Sequence, residues 1–86
     1  MFPLRMYVTH SCPFCQQALR FLESHPHPAH SVQIVYVDDD EEAKDEFRSK
    51  GFTGVPAFEQ GETRWQGFFP ARLDQALAQI SASPEN

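Results

Sequence analysis

The chain has 86 residues, is 41% hydrophobic and 22% charged, and carries a net charge of −5 at pH 7. This composition is typical of a folded globular protein and excludes a disordered chain, and the length favours one domain over residues 1–86 with a core over about 4–80. The acidic balance argues against nucleic acid and anionic membranes as partners. Neither a leader nor an apolar stretch near the ~20 residues that span a bilayer is recognisable, so we expect a cytoplasmic protein.

The first two predicted elements lead into a pair of cysteines. Leu4–Thr9 is short, apolar and rich in β-favouring residues, which predicts a buried strand. Apolar residues then recur at helical spacing from Cys15 onward, and proline is favoured at the first helical position because its missing N–H would be unpaired there anyway. We therefore predict a helix with Cys12 as its N-cap and Pro13 as its first residue, ended by the prolines at 26 and 28.

The middle of the chain predicts a second strand and a short helix. Val32–Val37 is almost continuously apolar and rich in β-branched residues, the pattern of a strand that is covered on both faces. The acidic run 38–42 supplies N-cap candidates and first-turn acids, so we interpret it as a helix start with a solvated face rather than as a metal or partner site. Gly51 fits the position just after the end of this helix.

The last third predicts a hairpin and a final helix. Two β-favouring runs, Val55–Glu59 and Thr63–Gln66, flank a turn that contains Gly61. Pro70 opens a helix with an apolar stripe, and the polar tail 81–86 is expected to fray. The order β-α-β-α-β-β-α predicts an α/β fold with a four-stranded mixed sheet flanked by three helices, its first β-α-β unit being parallel.

The motif Cys12-Pro13-Phe14-Cys15 carries the chemistry. A cysteine at a helix N-terminus lies near the positive end of the helix dipole and near unpaired backbone N–H groups, which favour its thiolate. We predict that Cys12 is exposed and attacks a substrate disulfide, and that Cys15 points to the buried side and resolves the mixed disulfide. Three other interpretations stay open at this point: a structural disulfide, half of a zinc site with His10, and an iron–sulfur cluster shared between two chains.

Three features stand out along the chain: Cys12-Pro13-Phe14-Cys15 after the first strand, Gly54-Val55-Pro56 before the third, and Trp65-Gln66-Gly67-Phe68 before the last helix. In these features and their spacing, the sequence resembles the glutaredoxin family of the thioredoxin superfamily over residues 4–80. The resemblance implies a thioredoxin-like fold, thiol–disulfide oxidoreductase activity, a redox-active Cys12–Cys15 disulfide and no bound cofactor.

The resemblance also implies which residues contact the substrate. It makes Val55–Pro56 a cis peptide bond beside Cys12, and the backbone of Val55 pairs with the bound substrate like an added strand. The expected substrate-binding residues are Pro13, Phe14, Val55, Pro56, Gly67 and Phe68. In addition, His10 is a candidate for tuning the pKa of Cys12 or relaying protons. We expect one of Phe68 and Phe69 to join the core and the other to belong to a docking patch.

Within the family, the back half of the chain resembles NrdH-type redoxins. The stretch 65–70, Trp-Gln-Gly-Phe-Phe-Pro, and Gly51-Phe52 match that pattern, and the cation and acid that hold glutathione in glutaredoxins are missing. The Pro-Phe between the cysteines is closer to glutaredoxins. We expect a monomer that is reduced by thioredoxin reductase, with electrons ultimately from NADPH, and that reduces a protein disulfide such as that of class Ib ribonucleotide reductase. Glutathione or another low-molecular-weight thiol is the alternative reductant.

Overall fold

The computed structural model of the protein describes residues 4–25 and 31–82. Its helices and strands follow the predicted order: β1 (Leu4–Val8), α1 (Pro13–Ser24), β2 (Val32–Tyr36), α2 (Glu41–Ser49), β3 (Ala57–Gln60), β4 (Thr63–Gln66) and α3 (Pro70–Ala82). The prolines at 26 and 28 that are predicted to end α1 lie outside the described residues. In the part of the chain that is described, no helix has both the length and the apolar character needed to cross a membrane.

The four strands form one mixed sheet in the order β2-β1-β3-β4. β1 and β2 are parallel, with Leu4 opposite Val32, and α1 supplies the crossover that parallel neighbours require. β3 is antiparallel to both β1 and β4, and the turn at 61–62 joins β3 to β4. The predicted α/β class with a four-stranded mixed sheet is therefore confirmed.

Residues of β1 alternate between the two faces of the sheet and so divide the core into two clusters. Leu4, Met6 and Val8 belong to the larger cluster, whose other buried members come from α1, α3 and β3: Cys15, Ala18, Leu22, Phe58, Leu73, Leu77 and Ile80. Tyr7 belongs to a second cluster with Val37, Phe47, Phe52 and Ala57. Because successive side chains of a strand point to opposite faces, α1 and α3 cover one face and α2 covers the other.

A network of charged side chains, joined by the Tyr7 hydroxyl, borders the second cluster. Its members are Arg5, Tyr7, Glu46, Lys50, Glu59 and Arg64. Lys50 Nζ lies 3.3 Å from a Glu46 oxygen and also contacts the carboxylate of Glu59. Burial acts to raise the pKa of Glu59, but hydrogen bonds from Lys50 and Arg64 outweigh it and hold that pKa below its ordinary value. The network ties α2 to three of the four strands.

Local capping interactions mark the helix starts that the sequence predicts. Cys12 is the N-cap of α1 and Pro13 is its first residue. Asp40 is the N-cap of α2, and its Oδ1 accepts a 2.7 Å hydrogen bond from the backbone N–H of Ala43. Gly51 follows the end of α2 with a φ of +87°, a conformation that favours glycine. These predictions are confirmed.

The predicted coverage of the second strand on both faces holds for residues 32–36, because Val32, Ile34 and Tyr36 pack against the larger core cluster and Val35 packs against the second. β2 is an edge strand, and all five of its residues are only partly buried. β1 lies inside the sheet, and four of its five residues are buried, which confirms the predicted buried strand. An apolar, β-branched sequence favours a strand, but it does not predict whether that strand lies at the edge or in the interior of the sheet.

Predicted element boundaries shift as well: β1 ends at Val8 rather than Thr9, and β2 ends at Tyr36 rather than Val37. The third strand begins at Ala57 rather than Val55, because Pro56 has no N–H to donate to the sheet and its carbonyl accepts a hydrogen bond from a loop. The last helix continues to Ala82, beyond the predicted start of fraying at residue 81. The rest of the tail, 83–86, lies outside the described residues.

Candidate active site

The two cysteines lie at the start of α1, just after β1 ends. Both thiols are free, so this is the reduced form of the pair. Cys12 is partly exposed, and its Sγ accepts a 3.1 Å hydrogen bond from the backbone N–H of Cys15. Cys15 is fully buried in the larger core cluster, whereas Pro13 and Phe14 between the two are exposed. One sulfur is therefore open to a substrate and the other is shielded from it.

The surroundings of Cys15 keep its thiol protonated. Burial raises the pKa of Cys15 to about 12, and the hydrogen bond to Cys12 and the negative charges of Cys12 and Asp38 act in the same direction. A hydrogen bond from the Thr9 backbone acts the other way and is outweighed. A pKa of about 12 leaves roughly one thiolate in 10⁵ at pH 7. Cys15 therefore does not compete with Cys12 for an incoming disulfide.

The loop before β3 places a peptide carbonyl beside Cys12. The Val55–Pro56 bond is cis, as the resemblance implies. The Cys12 thiol is 3.9 Å from the carbonyl oxygen of Val55, and the carbonyl of Pro56 accepts a 2.7 Å hydrogen bond from the N–H of Gly67. The fold thus brings four of the predicted site residues together from three distant parts of the chain.

Gln66 holds a loop of this site, a role that its place in the motif 65–68 does not indicate. Its Oε1 accepts a 2.9 Å hydrogen bond from the backbone N–H of Thr53, and its Nε2 donates a 2.9 Å hydrogen bond to Thr53 Oγ1. The two bonds tie the end of β4 to the loop that leads into Val55–Pro56. The contact spans 13 residues and depends on the fold, so no local pattern indicates it.

Two phenylalanines in the segments of the site are exposed: Phe14 lies between the cysteines, and Phe69 lies two residues after Gly67, whose N–H donates to the Pro56 carbonyl. Phe14 is 60% exposed and Phe69 is 58% exposed, and no other large apolar side chain among the described residues is exposed. Phe68 instead packs against the larger core cluster, with its ring 5.9 Å from that of Phe21. Gly67 lies against Phe69, because a Cβ on Gly67 would be 2.9 Å from the Phe69 ring. Phe68 thus packs on the core and Phe69 is exposed, and the substrate-binding role of Phe68 stays a prediction.

His10 contacts the acidic residues that follow β2. Its Nδ1 lies 3.1 Å from Asp38 Oδ1 and 3.5 Å from Asp39 Oδ1, and its ring stacks on Tyr36 at 4.2 Å between centroids. A hydrogen bond from the His10 backbone holds the pKa of Asp38 below its ordinary value. The predicted role of His10 toward Cys12 stays a prediction.

Potential metal ligands gather at the same place. Within residues 4–25 and 31–82, the one group of three such side chains is His10, Asp38 and Asp39, whose ligand atoms lie within 4.8 Å of one another. Neither cysteine belongs to this group. The half-site for zinc that the sequence left open, two cysteines with His10, is therefore not assembled among the described residues.

The mixed sheet with helices on both faces, and a dithiol at the start of α1 beside a cis-proline loop, define a thioredoxin-like protein with a two-cysteine site. Residues 4–63 match the sequence model of the glutaredoxin family, more than half of the chain. The chain therefore belongs to the glutaredoxin family. This family consists generally of thiol–disulfide oxidoreductases, so the predicted enzyme class holds at that level.

Solved structures with similar folds support the same placement. The glutaredoxin-like protein NrdH-redoxin from Escherichia coli, described as having a thioredoxin-like activity profile, is 25% identical with a TM-score of 0.69, over 84% of this chain and 91% of its own. Glutaredoxin (grx-1) from Archaeoglobus fulgidus is 24% identical with a TM-score of 0.71, over 92% of this chain and 88% of its own.

A third structure is a mutant of the thioredoxin-like protein BC3987. It is 21% identical with a TM-score of 0.75, over 93% of this chain and 99% of its own. At these identities, the second and third structures bear on the fold alone, and they confirm the predicted thioredoxin-like architecture. A comparison with curated protein sequences gave no significant match.

Proposed function

We propose that the protein is a dithiol redoxin of the NrdH type, which reduces disulfides in other proteins. The observation that carries this proposal is the asymmetry of the thiol pair. Cys12 is partly exposed beside the Val55 carbonyl, whereas Cys15 is buried behind it. The activity belongs in the cytoplasm, where reducing conditions keep such a pair in its dithiol form.

In the first half-reaction, the Cys12 thiolate attacks one sulfur of the substrate disulfide. A new S–S bond forms between Cys12 and the substrate, the substrate's own S–S bond breaks, and the leaving sulfur takes up a proton. The backbone N–H of Cys15 donates a 3.1 Å hydrogen bond to the attacking sulfur, which stands at the start of α1. The Val55 backbone is the expected partner for the substrate chain.

In the second half-reaction, Cys15 loses its proton and attacks the Sγ of Cys12. Two of the causes that raise the pKa of Cys15 come from Cys12, namely the hydrogen bond to its sulfur and its negative charge. Both disappear when Cys12 is bonded to the substrate, so the pKa of Cys15 falls at the moment when its thiolate is needed. The attack forms the Cys12–Cys15 disulfide and releases the second substrate sulfur as a thiol, and two electrons have passed to the substrate.

A thioredoxin reductase is the reductant that the chain favours. The stretch 65–70 resembles that of NrdH-type redoxins, and the matched Escherichia coli protein is an NrdH-redoxin with a thioredoxin-like activity profile. By the same resemblance, the substrate is a disulfide protein such as ribonucleotide reductase. The one feature that favours glutathione is the Pro-Phe pair between the cysteines, which is closer to glutaredoxins.

Two coupled assays separate these reductants. NADPH oxidation is followed with the purified protein and a disulfide substrate, either with thioredoxin reductase alone or with glutathione and glutathione reductase. Turnover in the first coupling only supports the NrdH-type function, and turnover in the second only supports the glutathione-dependent alternative. Under either, Cys12→Ser should abolish turnover, whereas Cys15→Ser should accumulate a mixed disulfide detectable by mass spectrometry. Full activity in Cys12→Ser contradicts the mechanism.

A further inference from the structure

The segments that form the site carry no positive side chains. Residues 9–16, 51–57 and 65–70 contain neither lysine nor arginine. Five of the seven lysines and arginines of the chain form ion pairs with acidic side chains: Arg5, Lys44, Arg48, Lys50 and Arg64. Of the other two, Arg72 stacks on Trp65 with its guanidinium carbon 4.8 Å from the ring centroid, and Arg20 lies about two turns into α1.

Negative side chains adjoin the site directly. The five acidic residues 38–42 are all exposed, and they begin where β2 ends. Asp38 and Asp39 contact His10, which is two residues before Cys12, and the charge of Asp38 also acts on Cys15. Lys44 pairs with Glu41, and His10 contacts Asp38 and Asp39, so these five acids face one lysine and one imidazole and the run stays net negative.

We propose that the surface around Cys12 takes protein segments in which the disulfide is flanked by an apolar residue and by lysine or arginine. The exposed rings of Phe14 and Phe69 offer contacts to the apolar residue, and the acidic run 38–42 attracts the cation. This inference rests on the proposed function and names the substrate class for it. The same charges repel anionic disulfides such as glutathione disulfide, whose ends carry carboxylates.

Synthetic peptides test this selectivity. Each peptide contains one intramolecular disulfide, and the set differs only at two flanking positions, which are Lys and Phe, Glu and Phe, or Lys and Ser. Protein reduced with dithiothreitol and desalted is mixed with each peptide, and acid quenching with chromatography gives the second-order rate constant.

We expect the Lys–Phe peptide to react at least about tenfold faster than the Glu–Phe peptide at an ionic strength of about 10 mM. This ratio should approach one in about 0.5 M NaCl, and the Lys–Ser peptide should react more slowly than the Lys–Phe peptide at both salt concentrations.

Two matched double variants locate the charge that matters. Asp39→Asn with Glu42→Gln removes two charges of the acidic run, one of them 3.5 Å from His10 Nδ1, and leaves the N-cap of α2 and the backbone contact of His10 in place. Glu23→Gln with Glu62→Gln removes two exposed charges at the far ends of α1 and of β3. We expect the first pair to reduce the Lys-to-Glu rate ratio at least about threefold and the second pair to leave it unchanged.

The outcomes separate this inference from the proposed function. Equal rates for the Lys–Phe and Glu–Phe peptides, a faster Glu–Phe peptide, or equal effects of the two double variants would overturn the selectivity while disulfide reduction stands. A Lys–Ser peptide as fast as the Lys–Phe peptide would overturn the contact with the phenylalanines. If the wild-type protein reduces none of the peptides faster than the Cys12→Ser variant does, the proposed function itself fails.

Discussion

Replacing Cys12 with serine should lower the pKa of Cys15 without restoring its ordinary value. Burial is the largest cause that raises this pKa to about 12 from 9.0, and a substitution at residue 12 leaves the burial in place. The substitution removes the hydrogen bond to the Cys12 sulfur and the charge of that sulfur. We therefore expect Cys15 in Cys12→Ser to titrate between 9.0 and about 12, and below its value in the wild type.

The size of the effect follows from the difference between 9.0 and about 12. At a fixed pH well below the pKa, each unit by which the pKa rises lowers the thiolate fraction tenfold. Native Cys15 therefore holds about a thousandfold less thiolate at pH 7 than an ordinary cysteine. At about pH 10, an ordinary thiol is roughly 90% ionised, whereas a thiol with a pKa of about 12 is roughly 1% ionised. A titration to about pH 10 thus distinguishes an ordinary thiol from one with a pKa of about 12, and the two midpoints are compared by continuing it to higher pH.

The ¹³Cβ chemical shift of labelled cysteine reports each thiolate without interference from tyrosine ionisation. The reduced wild type, Cys12→Ser and Cys15→Ser are titrated, the last to assign the Cys12 resonance, and circular dichroism checks the fold at each pH. A Cys15 midpoint at or below 9.0 in folded Cys12→Ser would refute the role of burial. A midpoint equal to that of the wild type would contradict the step in which the mixed disulfide releases the Cys15 proton.

Three further substitutions test the loops and the charge network. Gln66→Leu removes both hydrogen bonds to the preceding loop, and it should lower kcat/KM for disulfide reduction about three- to tenfold. Gly67→Ala places a Cβ 2.9 Å from the Phe69 ring at a φ of +100°, and urea unfolding should show a loss of about 1–3 kcal/mol. Glu59→Gln alters a side chain that is only 13% exposed, and it should cost about 2 kcal/mol at pH 7, between the values for buried and exposed ion pairs.

Controls accompany each of these changes. The exposed Glu62→Gln in the neighbouring turn should change the free energy of unfolding by less than about 0.5 kcal/mol. An equal loss in Glu59→Gln and Glu62→Gln would show that the network contributes nothing. For Gln66→Leu, unchanged kcat/KM in a variant of wild-type stability would remove its positioning role. A Gly67→Ala variant as stable as the wild type would contradict the crowding at Phe69.

Acid provides a second control for Glu59→Gln. The pKa of Glu59 is lowered from 4.5 in the folded protein, because its bonds to Lys50 and Arg64 outweigh burial. A carboxyl with a depressed folded pKa contributes stability above its unfolded pKa, and this contribution is lost as the pH falls through the folded value. The deficit of Glu59→Gln should therefore be full near neutral pH and shrink on acidification below 4.5. A deficit that stays constant as far as about pH 2 would show that it is not electrostatic.

The local features of the site could be predicted because the groups that create them are close along the chain. An N-cap depends on N–H groups two or three positions onward, so Cys12 is recognisable from its neighbours, and for α2 the candidates narrow to Asp38, Asp39 and Asp40. A proline needs only its own ring to suit the first helical position, as at Pro13 and Pro70. The cis bond before Pro56 came from the family resemblance, because only about 5–6% of X–Pro bonds are cis and no local pattern marks them.

The order of the elements and the helix that Cys12 caps could be predicted because they depend on groups within a few residues of one another, and the spacing of Cys12 and Cys15 is part of the sequence itself. The edge position of β2, the bonds between Gln66 and Thr53 and the size of the rise in the pKa of Cys15 follow from the tertiary structure alone. Burial and charge act through space, and the groups responsible come from strands and helices tens of residues apart.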